Sequence, residues 1–457
     1  RHPVTTRLNE THRADLVSWV ESANDPATDF PIQNLPLGMF RGPGRDTRPG
    51  VAIGDAVLDL VALRDAELVD SESAELVEAC LQAGALNPLL EAGRDAMSRL
   101  RATLSVLLRG DTPEGKRARE RANDVLVRMR DVTLLLPAHV GDYTDFYASI
   151  HHATNVGSMF RPDNPLLPNY KWVPIGYHAR ASSIVPSGTP IVRPSGQTRD
   201  GESATPAFGP SRRLDYEMEV GAYIGVGSTL GKPIPMSKAE SHVAGLCLVN
   251  DWSARDIQTW EYQPLGPFLA KNFATTVSPW VVTLEALEPF RFPAFSRAPE
   301  DPEPLPHLRD ARNEREGGFD ITLDVLLRTR RMREADLPAV RVSRGSFSSM
   351  YWTLAQLVAH HASNGCNLRP GDLLASGTVS GPTKESRGCL LERTWKGTEP
   401  LELPSGETRR FLEDGDEVIM RGWCEREGAR RIGFGEATGT VTSLPAPPPP
   451  GTASAPS

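Results

Sequence analysis

The stretch LDYEMEVGAYIG, Leu214 to Gly225, sets three acids in five positions with an apolar or aromatic residue between each. Successive side chains of a strand point to opposite faces. An extended chain therefore puts Asp215, Glu217 and Glu219 on one face and Leu214, Tyr216, Met218 and Val220 on the other. Carboxylates packed side by side repel one another unless water screens them or a cation neutralises them. The alternation fits a strand that turns its acids to solvent as well as one that walls a metal site. The choice between the two rests with the remainder of the chain.

A chain of 457 residues suggests two or three domains. Hydrophobic residues at 39%, charged residues at 24% and a mean hydropathy of -0.33 place it among soluble globular proteins. It has no membrane-length apolar run and lacks a signal peptide's apolar segment at its start, so a cytoplasmic location and no membrane partner are expected. The five cysteines, Cys80, Cys247, Cys366, Cys389 and Cys424, are widely spaced and form no C-x-x-C, which reads as core thiols rather than a disulfide framework or zinc knuckle. A net charge of -8 with scattered basic residues gives no reason to expect nucleic acid as a partner.

Two textures divide the chain. Residues 1–135 mix a Gly/Pro-punctuated strand region, FPIQNLPLGMFRGPGRDTRPGVAIGDAVLDL, with helical runs. In LNPLLEAGRDAMSRLRATLSVLLRG, Asn87 reads as N-cap, Pro88 as first helical residue and Gly110 as stop, and PEGKRARERANDVLVRMRDV reads as a second, basic helix. Residues 136–443 read as β-dominated: SGTPIVRP, LDYEMEVGAYIGVG, FDITLDVLL, DEVIMRGWCE and ATGTVTSL are short strand-type runs separated by turn signals. One helix interrupts them, SMYWTLAQLVAHHASNG, with a serine cap and Gly365 as terminator. Glu285 to Gly318 reads as a surface excursion, and the Pro-rich tail 444–457 as disordered.

Three segments group residues that carry chemistry. In GDYTDFYASIHHATNVGSMFR, Asp145, Tyr147, His151, His152 and Arg161 fall within seventeen residues. They could be a ligand set, a general base with its orienting group, or a polar loop. In NDWSARDIQTWEYQPLGPFLAKNFATTVSPW, Asp251, Arg255 and Gln258 take one helical face at i, i+4 and i+7, where an ordinary intrahelical salt bridge accounts for them equally well. Charged residues among Trp, Phe and Pro tend to bury, however, and a buried charge needs a partner or a metal. In GDLLASGTVSGPTKESRGCLLERTWKGT, glycines bracket Thr378, and Glu392 follows an apolar pair. The chain has no P-loop, no G-x-S-x-G elbow and no H-E-x-x-H, which lowers the standing of nucleotide binding and serine catalysis. Histidine and cysteine are not grouped as soft-metal ligands, so the acids point to a hard cation, Ca²⁺ or Mg²⁺.

The runs DYTDFYASIHHATNVGSMFR, LLPNYKWVPIGYHARASSIVPSGTPI, NDWSARDIQTWEYQPLGPFLAKNFATTVSPW, HHASNGCNLRPGDLLASGTVSG and LLERTWKGT closely resemble the fumarylacetoacetate hydrolase family, densely from about Val140 to Thr442. The resemblance implies a mostly β (α+β) chain: a small SH3-like barrel with helices in the N-terminal domain, then a C-terminal β-roll domain that forms a homodimer. It implies hydrolysis of fumarylacetoacetate to fumarate and acetoacetate at the end of tyrosine and phenylalanine breakdown. Carried over by motif, Asp145, Glu217, Glu219 and Asp251 would bind Ca²⁺, and Lys271 and Thr275 would surround Mg²⁺. His152 would be the base, oriented by Glu392, while Arg255, Gln258 and Lys271 would face the developing oxyanion. Tyr147, Arg161, Tyr177, Gln258, Tyr262 and Thr378 match substrate contacts, and His151 has no implied role. The alternatives are a related hydrolase, isomerase or decarboxylase acting on another β-diketone acid such as an acylpyruvate, and a non-catalytic cation-binding scaffold.

Overall fold

The computed structural model describes residues 8–44, 46–201 and 205–443. The fold is mixed α+β and rich in strands. Its centre is the antiparallel pair Met218–Ile224 and Val243–Asp251, in register from Met218 opposite Asn250 to Ile224 opposite Val243. Every residue of both strands is buried. Such runs suit a sheet covered on both sides, and here alternate residues serve two cores. Met218, Val220, Leu246 and Leu248 pack with Leu323, Val325 and Leu327 of a five-stranded second sheet. Tyr223, Cys247 and Val249 face the opposite way and pack with Leu86, Leu100 and Leu104 of the N-terminal helices.

On one side the central pair continues through Leu373–Ala375 to the parallel strand Tyr143–Phe146 and then to Gly176–Ala179. On the other side Trp280–Thr283 pairs with Leu37–Arg41, which brings the N-terminal strands into the same thirteen-stranded sheet. Glycine is required at that junction, because a Cβ on Gly38 would lie 2.6 Å from the Trp280 ring. The expected SH3-like barrel is not what these pairings build. The N-terminal strands form no closed barrel among the described residues.

The five strand-type runs of the C-terminal part all contain strands. Helix ends differ more. The helix expected from a serine cap spans Leu354–His361 and is capped by Thr353. Thr353 Oγ1 accepts from Gln356 N, and Gln356 Oε1 accepts from Thr353 N, two bonds that fix the start more firmly than one hydroxyl. Asn87 is no N-cap either. Its side chain accepts from His139 N and donates to His139 O and Pro370 O, joining distant loops. The run from Asn87 is broken at Gly93, φ +83°, into Asn87–Glu91 and Gly93–Leu108. The basic helix stops at Glu120, and after a short turn Leu126–Arg128 joins the sheet.

The 285–318 segment is more than a surface excursion. Phe290 and Leu308 enter the main core, and the Arg297 guanidinium lies 4.2 Å from the Tyr351 ring centre and 4.6 Å from that of Trp352. Lys171 pairs with Asp301, to which Tyr351 also donates. All five cysteines are free, and four are buried. No helix among the described residues is long and apolar enough to cross a membrane. The tail, 444–457, lies outside the described residues.

Candidate active site

The acid run is not solvated. Glu217 is 5% exposed and Glu219 0%, and with Asp145 and Asp251 they place carboxylate oxygens within 4.8 Å of one another. Three strand ends build this cluster. Asp145 sits in Tyr143–Phe146, Asp251 ends Val243–Asp251, and Glu219 lies in Met218–Ile224 with Glu217 just ahead of it. Asp215, the first acid of the run, points instead at Arg255, so the three acids do not share one role.

Two cations enter the cluster. Lys271 Nζ lies 2.8 Å from Glu217 Oε2 and 2.5 Å from Asp251 Oδ2, and Arg255 Nη1 lies 2.6 Å from Glu217 Oε1. Burial opposes the charged form of Glu217, but Lys271 and then Arg255 hold it well below the usual carboxylate range. Burial also opposes the Lys271 ammonium, yet Asp251 and Glu217 keep it above its ordinary value. Asp145 and Glu219 are pushed well up, first by burial and then by the acids around them. Asp145 Oδ1 and Glu219 Oε1 are buried and have no hydrogen-bond partner. An all-carboxylate set with uncompensated charge and unpartnered oxygens fits a hard divalent cation. Thr275 stands opposite Asp251 on the neighbouring strand and is buried beside it.

Beside the acids lies a second group. Ser149 caps the helix Ile150–Phe160 by accepting from His152 N. That cap fixes the first turn, and from it the imidazole of His152 reaches Glu392, with Nδ1 2.7 Å from Oε2. Glu392 is fully buried. Burial works against its charge, but His152 and the side chains of Asn155 and Cys389 hold it down to about 2. A charged carboxylate only accepts, so Nδ1 is the donor in this bond and Nε2 is the ring nitrogen left for other partners. Glu392 also accepts from Asn155 Nδ2 and Ser380 Oγ, both at 2.8 Å, and from Cys389 Sγ at 3.1 Å.

His152, Cys389 and Glu392 thus converge, contrary to the expectation that histidine and cysteine stay apart. Burial pushes the Cys389 thiol well up, so it remains a neutral donor. The trio is a hydrogen-bonded unit, not a thiolate metal site.

The substrate-contact residues are distributed unevenly. The Tyr147 ring stands edge-on to His152 at 5.3 Å, and Tyr177 OH donates to Asp251 Oδ2 at 3.2 Å. Thr378 is buried with its hydroxyl unpartnered. Tyr262 is partly exposed, and exposed Arg161 donates to Pro165 O. Gln258 Oε1 accepts from Arg255 Nη1 at 3.1 Å. The expected helical face of Asp251, Arg255 and Gln258 is only partly formed. The helix is Arg255–Glu261, while Asp251 is held in its strand opposite Thr275, and Arg255 pairs with Asp215 and Glu217. His151 is half-buried against Phe295, away from the Glu392 contact, and burial lowers its pKa.

Gly377 joins the groups. Its N–H donates to Glu219 Oε2 at 3.1 Å, its φ is +77°, and a Cβ there would meet Phe146 O at 2.2 Å. Gly377→Ala is expected to destabilise the fold by about 2 kcal/mol or more, through strain and overpacking. Urea unfolding of the variant against wild type measures this.

The family model described as fumarylacetoacetate (FAA) hydrolase C-terminal matches residues 142–442, and fumarylacetoacetase N-terminal matches 33–137. The chain belongs to the fumarylacetoacetate hydrolase family. Among relatives in this family, the fumarylacetoacetase of Oryza sativa subsp. japonica is 48% identical over 446 residues, covering 96% of this chain and 100% of the relative. That of Bos taurus is 49% identical over 438 residues, 94% of this chain and 99% of the relative, and that of Homo sapiens 47% identical over 433 residues with the same coverage.

Membership in the fumarylacetoacetate hydrolase family agrees with the resemblance read from the sequence. Four residues at the site escaped that reading: buried Asp215, which was seen only as part of the acid face, buried Ser380 and Cys389, and half-buried Asn155. Asn155 lies three residues after His152 on the same helix, a spacing that could have flagged it. Cys389 likewise lies three residues before Glu392, whereas the contacts of Ser380 and Asp215 depend on packing of more distant segments.

Proposed function

We propose that the chain hydrolyses the carbon–carbon bond of fumarylacetoacetate, giving fumarate and acetoacetate in the last step of tyrosine breakdown. The observation that carries this is the oriented His152–Glu392 pair beside a buried four-carboxylate cluster, in a chain that matches fumarylacetoacetases over nearly its whole length. An isomerase or decarboxylase is not favoured by those matches, and a passive cation scaffold has no use for an oriented base.

Asp145, Glu217, Glu219 and Asp251 would hold the cation, proposed as Ca²⁺, with Lys271 and Thr275 beside a proposed second, Mg²⁺, position. A divalent ion bound there would supply Lewis-acid stabilisation of the negative charge that develops on the substrate. His152 Nε2 removes a proton from water, and the Glu392 carboxylate stabilises the imidazolium that forms, a contribution of about 10²–10⁴-fold. The hydroxide adds to the carbonyl carbon joined to the fumaryl group. Arg255, Gln258 and Lys271 steady the resulting alkoxide; losing one such donor costs roughly 10²–10³ in rate. Collapse of the alkoxide breaks the bond to the methylene carbon, which leaves with the bonding pair as the acetoacetate enolate and takes up the proton that His152 removed from water. Tyr147, Arg161, Tyr177, Tyr262 and Thr378 line the substrate's path.

The test is the loss of fumarylacetoacetate absorbance with purified protein. It should proceed in Ca²⁺, stop with chelator and resume when the ion is restored. Activity untouched by exhaustive chelation would refute the cation's role.

A division into residues 1–135, 136–443 and a tail, a cytoplasmic location and a homodimer joined through the C-terminal domains belong to the same proposal. Exposed Leu265 and Phe268, on the loop after Arg255–Glu261, support an interface in that part of the chain. Light scattering is expected to give a dimer for the full chain and for a version ending at Ser443, and a monomer would defeat the claim.

A further inference from the structure

Asp215 takes no part in the chemistry above, yet it is the best-satisfied acid of its run. Fully buried, its Oδ1 accepts from Tyr216 N at 2.8 Å and Leu390 N at 2.7 Å, and its Oδ2 accepts from Leu391 N and Arg255 Nε, both at 2.9 Å. Leu390 and Leu391 open the turn Leu390–Arg393, whose next residue is Glu392. Arg255, on the other side, reaches Glu217 and Gln258 through Nη1. A single carboxylate therefore ties the guanidinium to the turn that aims Glu392 at His152.

We infer that Asp215 is a positioning residue that holds Arg255 and the Glu392 turn as one unit, fixing the alkoxide-stabilising group relative to the base. This rests on the hydrolase reading. Stability alone does not explain the arrangement, since a buried ion pair is often no more stabilising than apolar residues of the same volume. Oδ2 is shared between Arg255 and the turn while Oδ1 takes a second N–H of the turn, and only an acceptor with two oxygens can do this. In Asp215→Asn the amide group must meet either the Leu390 N–H or the Leu391 and Arg255 N–H groups, donor against donor. A shift of order 1 Å in such a group can cost ~10²-fold in rate.

The Ca²⁺-loaded full chain with Asp215→Asn is expected to lose roughly 10–100-fold in kcat, while KM and the Ca²⁺ dissociation constant stay within about threefold, as expected when uniform substrate binding is kept. A second variant leaves Asp215 in place. Arg255→Lys removes the Nε donor and is expected to shift the NMR signal of the His152 Nδ1 proton, whereas Gln258→Ala, which also borders Arg255, should leave it unmoved. Wild-type kcat in Asp215→Asn, or equal loss of kcat and Ca²⁺ affinity, overturns the inference. If that variant does not fold, an unshifted signal in Arg255→Lys overturns it and a shifted one supports it. Wild-type protein inactive on fumarylacetoacetate would defeat the proposed function instead, and the NMR comparison would still decide whether Arg255 and the His152–Glu392 pair are coupled.

Discussion

His152→Ala is expected to lower turnover by about 10²–10⁴-fold while Ca²⁺ affinity stays nearly unchanged, because the imidazole contacts Glu392 and not the carboxylate cluster. His151→Ala should remain within a few-fold of wild type. The two side chains leave one helix in different directions: His152 toward a fully buried carboxylate, His151 toward Phe295. Glu392→Gln should fall between, since a glutamine can still orient the ring but cannot stabilise the imidazolium by charge. Because Glu392 is held down to about 2, it keeps its charge throughout the neutral range, and any acid limb of the rate belongs to another group. Steady-state rates and calorimetric Ca²⁺ titrations of the three variants check the order. A larger defect in His151→Ala than in His152→Ala would move the base to the other histidine.

The second large effect is expected from Glu219→Gln, which should abolish most activity and weaken Ca²⁺ binding without loss of fold. The substitution removes a formal charge but keeps the side chain's shape, and the oxygen that accepts from Gly377 N can be retained. Glu217→Gln should do the same to binding and also destabilise the protein. Glu217 carries ion pairs to both Lys271 and Arg255, and breaking a buried pair typically costs about 3–5 kcal/mol. Calorimetric Ca²⁺ titration with urea unfolding separates the two variants. Wild-type affinity in both would remove these acids from the cation site.

The acid run illustrates how far sequence reasoning reaches. Period-two alternation predicts one strand and one shared face, whereas the run is split into Leu214–Asp215 and Met218–Ile224 and Asp215 turns to Arg255; burial decides between solvent and metal, and it comes from Tyr143–Phe146 and Leu373–Ala375 packing alongside. Nothing local in LDYEME distinguishes Asp215, whose partners lie 40 and 175 residues away, from Glu217 and Glu219. The same limit applies to Asp251 and Arg255. Their spacing suits a helix, yet pairing with Thr275 keeps Asp251 in a strand. The Arg255–Gln258 contact, inside a single helix, was legible. Cys389 was readable as a buried thiol but not as a donor to Glu392, although the two lie three residues apart, because that contact requires the helical turn Leu390–Arg393 that Cys389 precedes. The barrel expectation came from family resemblance, while the pairing of Leu37 with Val281 makes the N-terminal strands part of the central sheet.

The most direct test of the account is product analysis in H₂¹⁸O, with Ca²⁺-loaded enzyme and fumarylacetoacetate. Activation of water by His152 and addition at the carbonyl joined to the fumaryl group predict fumarate and acetoacetate in one-to-one yield, with a single ¹⁸O in one carboxylate of fumarate and none in the acetoacetate carboxylate. Conversion to an isomer without cleavage, release of carbon dioxide as the primary product, or label in the acetoacetate carboxylate would contradict it.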